Sequence, residues 1–312
     1  MSVYKIWFLA FVVCTLNGFS QQDFRISHGE IADVYRNPAM VGSESSLSVF
    51  VLHRRQWIDL PAAPVSTLIG ASYRLSNKFG GAVGIQLIDD RIGNFKLNKI
   101  KFLYAKEFRF GVSILRVGAG IQGSFLNENA TSWITSDTGV DNELITDGNV
   151  SNQFLDGSVG LSFKRNDIRF GLAATNVREV NLAEINWRTT RSYNSWLGYR
   201  LQWGNKIAFN STPMIRVRMD ENATPQFETR LDTEINNNYW LLTGYRINES
   251  VLAGIACAAP IAGGKMLLSY VFDYSLNELS EYNKGSHELM IRFNVNKIDV
   301  TEKKKVKNVR FL

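Results

Sequence analysis

Phe227-Glu228-Thr229-Arg230-Leu231-Asp232-Thr233-Glu234-Ile235 decides the fold. Its four charges share one parity, and Phe227, Leu231 and Ile235 share the other with two threonines. Successive side chains of a β-strand point to opposite faces, so this segment describes a wall with a charged side and an apolar side. Segments of about ten residues with the same alternation, separated by turn signals, recur from Ser46 to Val295. A soluble sandwich also alternates, but it turns its charged face to bulk water and its apolar face to a core. Where the chain resides separates the two.

The start of the chain speaks to that. Lys5 precedes an apolar run from Ile6 to Leu16, followed by Asn17-Gly18-Phe19-Ser20. A basic start, a short apolar stretch and a small final residue read as a secretory signal, residues 1–20, cut after Ser20. The run is too short for a spanning helix, and no other segment approaches eighteen uninterrupted apolar residues. An exported chain then has one other way to span a bilayer, a closed β-barrel. Removing Lys5 leaves 34 basic against 29 acidic residues, a net of +5, too diffuse for a nucleic-acid partner. Cys257 alone remains after cleavage, which excludes an intramolecular disulfide. A mean hydropathy of -0.12 suits a wall whose lumen is polar.

Fourteen strands are expected, over 47–56, 65–75, 82–90, 96–107, 115–126, 154–164, 168–176, 195–203, 207–218, 226–235, 239–247, 251–259, 266–274 and 288–295. Connections after even strands are short, for example Arg165-Asn166-Asp167 and Asn236-Asn237-Asn238. Three after odd strands are long: 127–153, 177–194 and 275–287. Short periplasmic turns with long outer loops are the asymmetry of an all-β, 14-stranded antiparallel transmembrane barrel in the outer membrane, with both termini periplasmic. The expected layout is a signal peptide at 1–20, a periplasmic or luminal segment at 21–45, the barrel at 46–296 and a basic periplasmic tail at 297–312. Trp57, Trp196, Trp203, Tyr239, Trp240, Tyr270 and Tyr274 are expected as interfacial girdles.

Several motifs have bland readings. Gly118-Ala119-Gly120-Ile121-Gln122-Gly123 satisfies a dinucleotide fingerprint but sits inside a strand, where close backbone packing explains it better than a cofactor. His28, His53 and His287 have no metal-ligand spacing. Asp137, Asp141, Glu143 and Asp147 resemble solvated loop charges more than a calcium loop. No nucleophile–base arrangement appears, so neither an enzyme nor a cofactor is expected. Alternation turns Arg216, Arg218, Glu228, Arg230, Asp232 and Glu234 inward, with Arg246, Asp273 and Arg292 further round. Such a ladder ties the wall together, or else holds a luminal plug or lines a path. The run Lys303-Lys304-Lys305-Val306-Lys307 reads as a solvated tail or a docking peptide.

Four further motifs occur in series: Arg36-Asn37-Pro38-Ala39-Met40-Val41-Gly42, Arg54-Arg55-Gln56-Trp57, Ala63-Pro64-Val65-Ser66 and Asp89-Asp90-Arg91-Ile92-Gly93. Together they resemble the PorP/SprF family of type IX secretion system outer-membrane proteins of Bacteroidota. Asn37, Pro38, Ala39, Gly42, Arg55, Gln56, Trp57, Pro64, Asp90 and Gly93 carry the match. The resemblance implies a barrel related to fatty-acid channels, without enzymatic activity. It also implies a role in secreting a large adhesin and anchoring it at the cell surface, through the adhesin's type B C-terminal domain. Other implied partners are further type IX components, including a periplasmic ring lipoprotein of the secretion and gliding machinery, and outer-membrane lipid. A scaffold to that ring and a transporter of hydrophobic small molecules are the alternatives.

Overall fold

In the computed structural model the described residues are 24–43, 45–75, 80–128, 150–182, 187–221, 223–261 and 263–295. The signal at 1–20, the acidic loop around Asp137 to Asp147 and the tail 297–312 lie outside them. Among the described residues no helix is long and apolar enough to cross a membrane.

The chain forms a closed antiparallel barrel of fourteen strands. They are β1 (Leu47–Arg55), β2 (Val65–Arg74), β3 (Ala82–Ile92), β4 (Phe95–Phe110), β5 (Ser113–Glu128), β6 (Val150–Arg165) and β7 (Ile168–Thr175). Then come β8 (Ser192–Tyr199, continued by Leu201–Trp203), β9 (Phe209–Asp220), β10 (Gln226–Ile235), β11 (Tyr239–Arg246), β12 (Ser250–Ile261), β13 (Gly264–Ser275) and β14 (Ser286–Val295). Each pairs with its neighbours in sequence. β14 returns to β1, from Leu47 opposite Val295 to Arg55 opposite His287. Closure leaves no edge strand, which a bilayer does not tolerate.

The alternation read from β10 holds in space. Phe227 and Leu231 are each 45% exposed on the outer face, whereas Arg230 is 4% exposed inside. Ile121, Leu155 and Ile255 are more than 60% exposed, as lipid-facing residues should be. Asn166, Asn236 and Asn237 take positive φ at the short-turn end, a conformation asparagine tolerates without strain. β4, β5 and β6 run to 16 residues each, longer than periodicity predicted, because the β5–β6 pairing continues to Glu128 and Val150. β8 is interrupted at Arg200, and its register puts Pro213 of β9 opposite Tyr199. Proline has no N–H to donate to the ladder. Inside the connection 177–194, Val180–Leu182 and Trp187–Thr189 form an extra two-stranded hairpin.

Two girdle assignments are corrected. Trp196 is 7% exposed and lies opposite Arg216, on the luminal parity. Trp240 lies opposite Glu234 and packs against the luminal apolar cluster. Nearness to a turn suggested a girdle for both, but strand parity decides the face. Trp203, Tyr239, Tyr270 and Tyr274 are exposed on the outside.

Candidate functional site

The lumen is filled by the chain's own N-terminal segment. Helix α1 (Gly29–Arg36) and a 3-10 turn (Pro38–Met40) lie inside the barrel, preceded by an extended stretch from Phe24. Phe24 lies toward the long-loop end, beside Gln56, Trp57 and Leu279. From there the segment crosses to the short-turn end, where Arg74 Nη2 donates to the Gly42 carbonyl and Ser45 Oγ approaches Asn294. It then enters β1. Phe24, Ile26, Ile31, Ala32 and Tyr35 pack on Phe50, Leu52, Leu68, Ile88, Leu267 and Met290 of the wall. Burying each large apolar side chain contributes about 1.5–3 kcal/mol.

Charge pins the plug on its other side. Arg54 is 1% exposed and joins three elements. Its Nη1 donates to Ser27 Oγ at 2.7 Å and Glu288 Oε2 at 3.2 Å, and its Nη2 to Asp273 Oδ2 at 2.9 Å. Glu288 also accepts from the Ser27 and His28 backbone N–H groups and contacts the His28 ring at 2.5 Å. Opposite, Arg230 Nη1 donates to the Ser27 carbonyl, and Arg216 Nη2 donates to the Gly29 carbonyl and to Asp33 Oδ2 at 3.0 Å. Arg246 Nε donates to Glu228 at 2.9 Å and its Nη1 to Asp273 at 2.9 Å. Burial pushes the Asp33 carboxyl, on the plug itself, up to about 6 despite the pull of Arg216.

The ladder therefore does more than join neighbouring strands. Arg216 stands opposite Glu228 in register, but its carboxylate partner is Asp33 of the plug. Arg218 pairs with Asp220 along its own strand. Arg230 is held between Glu228 and Asp232, each at 3.2 Å. Glu234 sits apart near the short-turn end, accepting from Asn210 Nδ2 at 3.1 Å. Arg54, His28, Asp33 and Glu288 complete the network; the sequence marks Arg54 only within a family motif and His28 only as a rejected metal ligand, and it does not single out Asp33 or Glu288. The legible signal was a charge on the inward parity of β1 and β14.

The family motif residues gather in two places. Asn37 donates through Nδ2 to the Leu161 and Leu172 carbonyls of β6 and β7, while its Oδ1 accepts from the Ala39 N–H at 2.9 Å. Pro38 opens the 3-10 turn, and Ala39 is fully buried. This turn is seated on glycine backbone: a Cβ at Gly118 would lie 2.3 Å from Ala39 N, and one at Gly160 would lie 2.0 Å from Asn37 Oδ1. That is the use of the small residues in the Gly118–Gly123 stretch. Gly42 takes φ +65° against Ala82.

The second group rims the long-loop end. Arg55 is exposed, the Gln56 N–H donates to the Pro64 carbonyl, and the Trp57 N–H donates to Ser286 Oγ. Buried Asp90 accepts from Ser66 Oγ at 2.6 Å, and Gly93, with φ +57°, donates to the Ala62 carbonyl. Gln56, Trp57, Pro64 and Asp90 line a vestibule of about 550 Å³ whose floor includes Phe24 and Arg25, with Trp187 and Asn277 on its sides. The Trp187 Nε1 and Asn277 Oδ1 atoms are buried there without a hydrogen-bond partner among the described residues. Among the described residues no group of His, Cys, Asp and Glu has the arrangement of a metal site.

A fourteen-stranded, plugged barrel with both motif groups in place agrees with comparison to known families. The family model for the type IX secretion system membrane protein PorP/SprF matches residues 19–293. The chain belongs to the PorP/SprF family. It is thus an outer-membrane component of type IX secretion. No curated protein matches the sequence. Among solved structures, the monoaromatic hydrocarbon channel CymD is 10% identical, covering 86% of this chain and 92% of its own, with a TM-score of 0.51. The Ralstonia pickettii toluene transporter TbuX is 13% identical, covering 89% and 98%, with a TM-score of 0.50. A Pseudomonas aeruginosa FadL homologue is 9% identical, covering 84% and 92%, at 0.44. At these identities the likeness is one of fold alone.

Proposed function

We propose that this PorP/SprF protein supports secretion and cell-surface anchoring of a large adhesin by binding its type B C-terminal sorting domain at the long-loop end of the barrel. The observation that carries this reading is the occupied lumen. A segment pinned by buried ion pairs and an apolar cluster fills much of the lumen, which leaves the mouths as the surface for a large partner. The long-loop mouth offers a rimmed vestibule with aromatic and polar walls, which suits gripping a protein segment. A closed wall of paired strands spreads a pull on any loop over many hydrogen bonds. Photo-crosslinkers replacing Trp57 or Asn277 should capture the adhesin in intact cells and lose it when the sorting domain is deleted. Adducts that survive that deletion would overturn the proposal.

A scaffold contacting a periplasmic ring through Lys303 to Lys307 is compatible with anchoring. Removal of residues 303–312 should then reduce secretion while leaving the crosslink in place. Transport of hydrophobic molecules fits poorly with a lumen lined by Arg54, Arg216, Arg230 and Arg246.

A further inference from the structure

Six luminal guanidiniums each have a carboxylate partner in the network. Arg25 pairs with Glu249, Arg54 with Asp273 and Glu288, Arg216 with Asp33, and Arg218 with Asp220. Arg230 pairs with Glu228 and Asp232, and Arg246 with Glu228 and Asp273. Arg36, on the last turn of α1, makes no ion pair with a described residue. The carboxylate that draws on it is Glu228, already shared by two other arginines. Desolvation by the plug and wall first, and then the like charges of Arg218, Arg216 and Arg246, bring Arg36 down to about 10.

Arg36 is also one wall of a small space inside the lumen. A cavity of about 40 Å³ lies between the plug and strands β8 to β11, with Arg25, Arg36, Arg216, Arg218 and Arg246 around it. Asp33 and Glu228 are the carboxylates that reach it, and the Asn194 side chain adds a neutral polar group. A water needs about 10–15 Å³ of such space, so the cavity takes one small ion and no organic scaffold. Arg36 itself is half-buried, and five guanidiniums facing two carboxylates around so small a space repel one another unless an anion joins them. Planar guanidinium forks match the oxygens of a tetrahedral or carboxylate anion.

We propose that this cavity binds one small inorganic oxyanion, of phosphate or sulfate type, which neutralises Arg36 and locks the plug against β8 to β11. The ion bridges the C-terminal turn of α1 to Arg218 and Arg246 of the wall, so its loss loosens the plug rather than the barrel.

The test uses purified full-length protein in detergent at constant ionic strength, with phosphate, chloride or the bulky anion gluconate. Phosphate should raise the thermal midpoint by a few degrees over gluconate and saturate, with a smaller rise in chloride. Arg36→Met should lose the response to phosphate, and its midpoint in gluconate should exceed that of the wild type, because one of the five converging like charges is gone. Arg36→Lys should keep a weakened response. Equal midpoints in phosphate and gluconate, or an unchanged response in Arg36→Met, would overturn the proposal. Should Arg36→Met fail to fold, crystals of the wild type soaked in selenate decide the matter. An anomalous peak between Arg36 and Arg218 supports the site, and a featureless cavity refutes it.

Discussion

Adding one methyl group at Gly118 should unseat the plug while leaving the barrel standing. The new Cβ would lie 2.3 Å from Ala39 N, 2.4 Å from Pro38 C and 2.6 Å from Ala39 Cα. All three are backbone atoms of a turn and cannot swing aside as a long side chain would. Relief requires the 3-10 turn to lift, which stretches the Asn37 bonds to Leu161 and Leu172. Overpacking costs about 1–3 kcal/mol. Two lost hydrogen bonds add about 1–3 kcal/mol together. The barrel strand is formed in both states, so no entropy gain from alanine offsets this, and the balance is roughly 2–6 kcal/mol against the seated plug, about a thirtyfold to ten-thousandfold shift toward the unseated state. Planar-bilayer conductance reads this directly, because a displaced plug opens an aqueous path. Wild-type protein should be nearly silent and Gly118→Ala should show frequent openings. Asn37→Ala, which removes the bonds without adding a clash, should fall between them. If Gly118→Ala folds and stays as silent as the wild type, the seat is not where the plug is held.

Three further outcomes are expected. Arg54→Met strands the Asp273 and Glu288 carboxylates in a buried site and should destabilise by about 3–5 kcal/mol, read as a lower midpoint for loss of the compact band in heated SDS gels; Arg54→Lys should recover little, because a single ammonium cannot span Ser27, Asp273 and Glu288. Asp33 has its folded value raised to about 6 from 3.8, so its contribution is fully present below 3.8 and is lost as pH rises through 6; protease protection of the plug should therefore increase from pH 7 to pH 5, and Asp33→Asn should flatten that change. Leu231→Arg puts a charge on the lipid face near mid-strand and should cost about 2–4 kcal/mol in vesicle refolding yields, whereas the same charge at an inward position such as Thr212 should cost far less.

How much of this was legible before the structure depends on the range of each interaction. Alternation is local, so all fourteen strands end within three residues of their expected places, all but β6 also start within three, and β10 matches at both ends. β6 departs most at its start, Val150 against 154, because its extension is set by pairing with β5 across an intervening segment. Trp196 and Trp240 show the same limit: their neighbours in sequence suggested a girdle, while cross-strand partners turn them inward. The inward charges of β9 and β10 were readable from parity. Their partners were not, since Asp33 and Ser27 are about 180 to 200 residues from Arg216 and Arg230.

Sequence alone determined that the wall has an apolar and a charged face, and family motifs placed the chain in type IX secretion. Alternating side chains must point to opposite sides of an extended backbone whatever surrounds them. Only the tertiary structure decided that the lumen is occupied and by which segment. That outcome rests on Arg54, Asp273 and Glu288 meeting Ser27 and His28 across a folded barrel, and on Gly118 and Gly160 leaving room for Asn37 to Ala39. Contacts made by closing a ring of fourteen strands have no signature within any one of them.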